Sequence, residues 1–212
     1  MTASTNSRAR LSWPVIAIDF EASSLEQDGY PIEVGVAAWF APNQSVLGWS
    51  TLIRPTWDWM SNGHWSVTSA KVHGIRGGDL VAHGREPGII AATLNEVVGA
   101  GAVAWCDGGP YDAHWLAALF KAGKVQPAFT LGDWHCLVGS LEQAGRERAW
   151  TWLERTPSRH RARQDAEALL LALMEGTGVE PRSGGDLVNH LPALHVCSAR
   201  PPPSGNEPPA KP

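Results

Sequence analysis

The chain has 212 residues, 43% of them hydrophobic, and a formal net charge of −4 at pH 7. This length and apolar content predict one domain with a sizeable core rather than two domains. The negative charge argues against a protein that holds long duplex nucleic acid on a broad basic surface. No apolar run is long enough to cross a bilayer, and residues 1–12, expected to form a flexible N-terminus, lack an apolar signal core. We expect a soluble cytoplasmic protein with no membrane partner.

The first predicted strand, over 14–21, carries two acidic residues. It begins as a continuous apolar run, typical of a strand buried on both faces, and is then interrupted by Asp19 and Glu21. Because strand side chains alternate, both carboxylates project from the same face. Close like charges raise each other's pKa unless a cation neutralises them, and a hard divalent ion with oxygen ligands is the natural partner. Taken alone, the pair fits a solvated strand end equally well.

The elements that follow predict a mixed sheet. Strands over 32–40 and 46–53 complete an antiparallel meander with the first strand. Helices and strands then alternate, which indicates an α/β sheet with parallel neighbours as well. The expected helices cover 67–73, 87–99, 112–122, 134–144 and 164–175, and the expected strands cover 102–106 and 128–132.

Two later segments also place polar residues at element ends. Asp107 and Asp112 flank a Gly-Gly-Pro turn, where an acid can simply start the turn or cap the helix. His160 lies in the loop before an amphipathic helix, and Asp165 stands in the first turn of that helix. An acid is common there because of the helix dipole, and a lone histidine is more often an ordinary polar contact.

Together the three segments resemble the motif set of the DnaQ-like DEDDh 3′-5′ exonucleases, which include proofreading subunits, RNase T and oligoribonuclease. The pattern His160-x-Ala-x-x-Asp165-Ala closely matches the third motif of that family. In the second motif Asp112 is favoured over Asp107, because an aromatic residue precedes it and Trp-Leu follows. The stretch over 30–36 and the His-Gly-Ile element within 71–75 are also similar, and the resemblance spans about residues 13–176.

The resemblance implies a ribonuclease H-like fold of the α/β class. Its mixed five-stranded sheet would combine the antiparallel meander with parallel strands and be flanked by helices. The exonuclease domain is expected over residues 13–180. Residues 181–212 are rich in proline and glycine and are expected to form a disordered tail.

The resemblance also implies an active site. Asp19, Glu21, Asp112 and Asp165 would hold two divalent ions, Mg²⁺ or Mn²⁺ rather than zinc, with Asp19 bridging them. His160 would be the general base that accepts the proton of the attacking water. The expected activity is hydrolysis of single-stranded RNA or DNA from the 3′ end to nucleoside 5′-monophosphates.

Substrate contacts are implied by the same motifs. Leu25 resembles the family's hydrophobic wedge between the last two bases, and Ala22, Ser23 and His73 are expected beside the terminal nucleotide. Many relatives read Asp-x-Glu-Thr-Thr-Gly-Leu at the first motif. This chain reads Asp19-Phe-Glu-Ala-Ser-Ser-Leu25, so one hydroxyl is lost at Ala22.

Alternatives stay open on the sequence alone. The chain also fits a phosphoesterase that acts on nucleotides or dinucleotides, or a non-catalytic nucleic-acid-binding module. The tryptophans within 49–65 either stack on unpaired bases or pack in the core. A homodimer, and a polymerase or other protein partner, stay open too. Four arginines either flank substrate phosphates or form a solvated basic loop: Arg155, Arg159, Arg161 and Arg163.

Overall fold

The structure is a computed structural model that describes residues 11–191, and its centre is a mixed six-stranded sheet. The strands are β1 Val15–Ala22, β2 Pro31–Trp39, β3 Val46–Leu52, β4 Val103–Cys106, β5 Thr130–Asp133 and β6 Ser183–Asp186. They lie in the order β5-β4-β1-β2-β3-β6. The first three form the expected antiparallel meander, and β4, β5 and β6 each pair in parallel. The predicted mixed α/β architecture is confirmed.

The expected count of five strands is wrong, because β6 adds to the outer edge of β3. Its sequence, Ser-Gly-Gly-Asp, has no apolar alternation and all four residues are exposed, so no periodicity predicts it. Val46 donates its main-chain N–H to the carbonyl of Arg182 at 2.8 Å, and Leu187 just beyond the strand is fully buried. Main-chain pairing and one leucine thus order a segment expected within the tail. Residues 1–10 and 192–212 lie outside the described residues.

Helices cover both faces of the sheet. In the described part of the chain they are α1 Trp57–Asn62, α2 Val67–His73, α3 Gly77–His83, α4 Pro87–Val98, α5 Pro110–Gly123, α6 Trp134–Gly139, α7 Gln143–Arg155 and α8 Ala162–Thr177. The sequence did not predict α1 or α3, which bury little, and it merged α6 with the start of α7. The sequence pattern does not indicate the extent of α7, because its buried residues are Gly145 and Ala149, which give no apolar stripe. No described helix is long and apolar enough to span a membrane.

The side chains of β1 divide between the two faces of the sheet. Ile16 and Ile18 join the core under α4 and α5, whereas Ala17 joins the core under α6 and α8. Because strand side chains alternate, Asp19 and Glu21 continue the face that α8 covers. This alternation places two acids where the first turn of α8 begins.

The start of α8 lies directly on the main chain of β2. A Cβ atom on Gly35 would overlap the main chain of Ala162, the first residue of the helix. Ala162 itself is fully buried. The absence of a side chain at Gly35 therefore sets how closely α8 can approach the acidic end of β1.

Replacing Gly35 with alanine should force α8 away from the sheet. Overpacking of this kind costs about 1–3 kcal/mol of the free energy of unfolding, which chemical denaturation measures. Gly78→Ala is the matched control, because a Cβ atom there would meet no atom within 4 Å. Equal losses in the two variants would rule out the close contact as the cause.

Candidate active site

Six potential metal donors lie in two groups at the end of β1. Within each group, one donor atom of every residue lies within 4.8 Å of the others. The groups are Glu21, His160 and Asp165, and Asp19, Asp107 and Asp112. All five residues singled out in the sequence take part. Three distant segments of the chain therefore deliver their polar side chains to one place.

The carboxylates in these groups are electrostatically strained. Burial, and then repulsion from Asp112, Glu21 and Asp165, raises the pKa of Asp19 well above its usual range. Burial and the neighbouring Asp165 raise the pKa of Glu21 to about 8, although Arg161 acts in the opposite direction. The pKa of Asp112 is raised to about 6, mainly by burial. Such a cluster favours protons or cations, and its oxygen-rich composition suits a hard divalent ion.

Asp112 is held by the turn that precedes α5. The main-chain N–H of Gly108 donates to Asp112 Oδ2 at 2.9 Å, and the Cys106 thiol also hydrogen-bonds to this carboxylate. A Cβ atom on Gly108 would lie 2.6 Å from the same oxygen, and Gly109 has a positive φ of 54°. The Gly-Gly pair thus allows the turn to wrap around the carboxylate. Burial raises the pKa of Cys106 to about 12, so this residue stays a neutral thiol.

Asp107 joins the site from the end of β4, although the sequence favoured Asp112 over it. Its carboxylate is grouped with those of Asp19 and Asp112, and burial of the carboxyl raises its pKa. A signal for it existed in the sequence. Asp107 directly follows the strand predicted over 102–106, just as Asp19 and Glu21 stand at the end of the strand predicted over 14–21.

Asp165 organises the turn that carries His160. Its carboxylate accepts hydrogen bonds from the main-chain N–H of Arg159 at 2.9 Å, that of Arg161 at 3.2 Å and the Ser158 hydroxyl at 2.8 Å. Ser158 in turn accepts from the main-chain N–H of His160 at 3.1 Å. His160 has a φ of 52°, and it is exposed. The histidine therefore sits at the tip of a turn tied to a neighbouring acid of the site.

The four residues expected beside a terminal nucleotide differ in their availability. Leu25 is 67% exposed, as a residue that inserts between bases would need to be. Ser23 is buried, and its hydroxyl donates to the carbonyl of His64 and accepts from the N–H of Tyr30. Ala22 is buried in strand pairing with Pro31.

His73 is the last of these four residues, and it lies inside the protein. It is buried beside Trp65, and burial lowers the pKa of its imidazole. Its Nδ1 accepts a hydrogen bond from the main-chain N–H of Ile75 at 3.0 Å. His73 is therefore suited to act as a neutral group.

Two of the four clustered arginines are bound by the protein itself. The Arg161 guanidinium pairs with Glu33, and that of Arg163 pairs with Glu167 and donates to the carbonyl of Gly185. Thus Arg161 and Arg163 are held by protein groups.

Among the tryptophans within 49–65, Trp49 is buried and Trp59 stacks on Tyr30, while Trp57 is 80% exposed. Trp49 thus packs in the core, whereas Trp57 is exposed.

Comparison with known proteins finds similarity in structure alone. No family model and no curated protein sequence matches the chain. Among solved structures, the zinc-bound complex of E. coli exonuclease I with single-stranded DNA superposes with a TM-score of 0.58 and 13% identity. That match covers 88% of this chain and 42% of exonuclease I.

Two further exonuclease I structures give the same result. The complex of the E. coli enzyme with a dA16 oligonucleotide has a TM-score of 0.56 and 11% identity, covering 76% of this chain and 40% of that one. An apo form of exonuclease I has a TM-score of 0.54 and 13% identity, and the match covers 77% of this chain and 42% of that one. The chain thus spans about two fifths of the length of the structures that it matches. At these identities the likeness is one of fold, and the chain has the ribonuclease H-like fold.

Proposed function

We propose that the chain is a metal-dependent 3′-5′ exonuclease that removes nucleoside 5′-monophosphates from single-stranded ends in the cytoplasm. The observation that carries the proposal is the convergence of five carboxylates and one imidazole at the end of β1. The convergence occurs in the fold of exonuclease I, a protein solved with single-stranded DNA. Single-stranded DNA is therefore the first substrate to test, with RNA beside it.

The acidic residues fit two divalent ions. Asp19 belongs to the group of Asp112 and is also repelled by Glu21 and Asp165 of the other group, so it is suited to bridge the two ions. Asp107 adds a third carboxylate to the side of Asp112. When bound, two such ions would acidify the attacking water and stabilise charge on the phosphate and the leaving oxygen. Mg²⁺ or Mn²⁺ suits this oxygen-rich set.

His160 is suited to remove the proton of the attacking water. Its exposed ring is free to meet solvent and substrate, while Asp165 holds the turn on which it stands. An imidazole accepts a proton at neutral pH, which a carboxylate bound to a metal does poorly. The ring also lies within 4.8 Å of donor atoms of Glu21 and Asp165, so metal binding is the competing role for it.

The direct test measures release of mononucleotides from 5′-labelled DNA and RNA oligomers with Mg²⁺ or Mn²⁺. A descending ladder of products would support the exonuclease, and Asp19→Ala is the control because it should abolish the ladder. Hydrolysis of dinucleotides alone would favour the phosphoesterase. Binding of oligomers without cleavage would favour a non-catalytic module.

Divalent ions should stabilise the protein, most strongly at higher pH. The pKa of Glu21 rises from its ordinary 4.5 to about 8 in the folded, metal-free protein. The folded state therefore holds this proton more tightly than the unfolded chain, so the free energy of unfolding falls as the pH rises through that interval. Millimolar Mn²⁺ should reverse the loss and raise the melting temperature at pH 8 more than at pH 5. A melting temperature indifferent to Mn²⁺ at pH 8 would argue against the metal site.

The His160→Ala variant should separate proton transfer from metal binding. Loss of a general base typically lowers the rate by about 10²–10⁴-fold, while the remaining acids should keep Mn²⁺ stabilisation near that of the wild type. Asp165→Asn should impair both, because that residue also anchors the turn. Loss of Mn²⁺ stabilisation in His160→Ala would instead identify the histidine as a ligand. Near-normal turnover would show that another group accepts the proton.

Single strands should be degraded well before blunt duplexes. The net charge of −4 argues against a broad basic surface that would hold a second strand, and the exposed Leu25 is suited to insert between unpaired bases. Matched labelled strands, alone and annealed, measure the difference. A 3′-phosphate should also block the reaction. Equal rates for duplex and single strand would contradict a site that accepts only one unpaired strand.

A further inference from the structure

A buried glutamate on β2 binds the turn that carries His160. Glu33 is 1% exposed and lies opposite Glu21 in the register between β1 and β2. Its carboxylate accepts two hydrogen bonds from the Arg161 guanidinium, from Nη2 at 2.7 Å and from Nε at 2.9 Å. It also accepts from the main-chain N–H of Ala162 at 3.2 Å and from the Ser50 hydroxyl at 3.2 Å. A paired, two-point contact of this kind fixes direction as well as distance.

The turn needs such a restraint because of the backbone of His160. Its φ of 52° lies in the left-handed region, which residues with a side chain seldom occupy unless their surroundings hold them there. On the helix side, Asp165 binds the main-chain N–H groups of both neighbours of His160. On the sheet side, Glu33 binds the side chain of Arg161 and the N–H of Ala162. The residues on both sides of His160 are tied down, while its ring is exposed.

Arg161 also balances charge at the edge of the site. Glu33 is an acid buried beside Glu21, and it contributes to the raised pKa of Glu21 while Arg161 counteracts it. An unpaired Glu33 would add another negative charge to a region already crowded with acids. The guanidinium that holds the turn therefore also makes the buried glutamate tolerable.

We propose that Glu33 and Arg161 form a clamp that positions His160 for proton transfer, and that Arg161 is not a substrate-binding residue. The inference rests on the proposed function. It assigns a positioning role to an arginine that the sequence alone placed equally well beside substrate phosphates. Glu33 and Arg161 would thus affect the reaction only through the position of His160.

A double-mutant cycle tests whether Arg161 acts through His160. In the wild-type background, Arg161→Met should lower kcat by up to about 10²-fold with little change in KM, as expected for a misplaced catalytic group. Glu33→Gln should act in the same direction but less, since an amide can still accept the N–H of Ala162. In a His160→Ala background, measured with excess enzyme, Arg161→Met should cause no further loss. Arg163→Met, whose arginine pairs with Glu167, is the matched control and should leave kcat unchanged.

Other outcomes would overturn the clamp. A further loss on adding Arg161→Met to His160→Ala, or a large rise in KM, would mean that Arg161 acts on the substrate itself. An equal loss in Arg163→Met would mean that damage to the helix start is unspecific. If Arg161→Met does not fold, Arg161→Lys, which keeps the charge but not the two-point contact, should show the same loss of kcat in smaller measure and the same lack of effect in the His160→Ala background.

A measurement without catalysis separates this inference from the proposed function. If the wild type hydrolyses no oligomer, the proposed function fails, but the clamp is still tested by backbone ¹⁵N relaxation of His160. In Arg161→Met the His160 amide should become more mobile than in the wild type, while amides in the middle of α8 stay rigid and Arg163→Met matches the wild type. An unchanged His160 amide in Arg161→Met would overturn the clamp.

Discussion

Repulsion among closely grouped acids is the constraint on which the rest of this structure depends. Burial, and then repulsion from Asp112, Glu21 and Asp165, raises the pKa of Asp19, and burial together with repulsion from Asp165 raises that of Glu21. If the strand and helix that carry these residues could move, the carboxylates would separate and the cluster would be lost. These elements cannot move easily, because β1 is paired on both sides and α8 lies on the main chain of β2 at Gly35. A rigid scaffold thus keeps together groups that would otherwise separate.

Much of this arrangement could be predicted from local sequence patterns. The apolar run before Asp19 defined a buried strand, alternation put Asp19 and Glu21 on one face, and helical spacing put Asp165 in the first turn of α8. These are properties of a few consecutive residues. The family resemblance then supplied the expectation that the three segments meet, and the mixed α/β fold agrees with it.

What could not be predicted depends on contacts between distant residues or on main-chain pairing. The bond between Glu33 and Arg161 joins residues 128 positions apart, and neither residue alone indicates the other. Turn preferences and the family resemblance favoured Asp112 over Asp107, whereas the relevance of Asp107 comes from its position beside Asp19. The strand β6 has no apolar pattern, since it is ordered by hydrogen bonds to β3 and by Leu187.

The position of β6 has a practical consequence for where this chain can be shortened. A protein cut at residue 180, the domain end that composition suggests, would keep every acid of the site but leave β3 as an open edge with unpaired N–H and C=O groups. Such edges recruit other strands, and the space left by Leu187 would expose apolar core beside them. The partners of Arg163 at Gly185 and Asp186 would be lost as well, beside the first turn of α8. Aggregation of such a shortened protein would therefore reflect a missing edge cover and not an unstable catalytic centre.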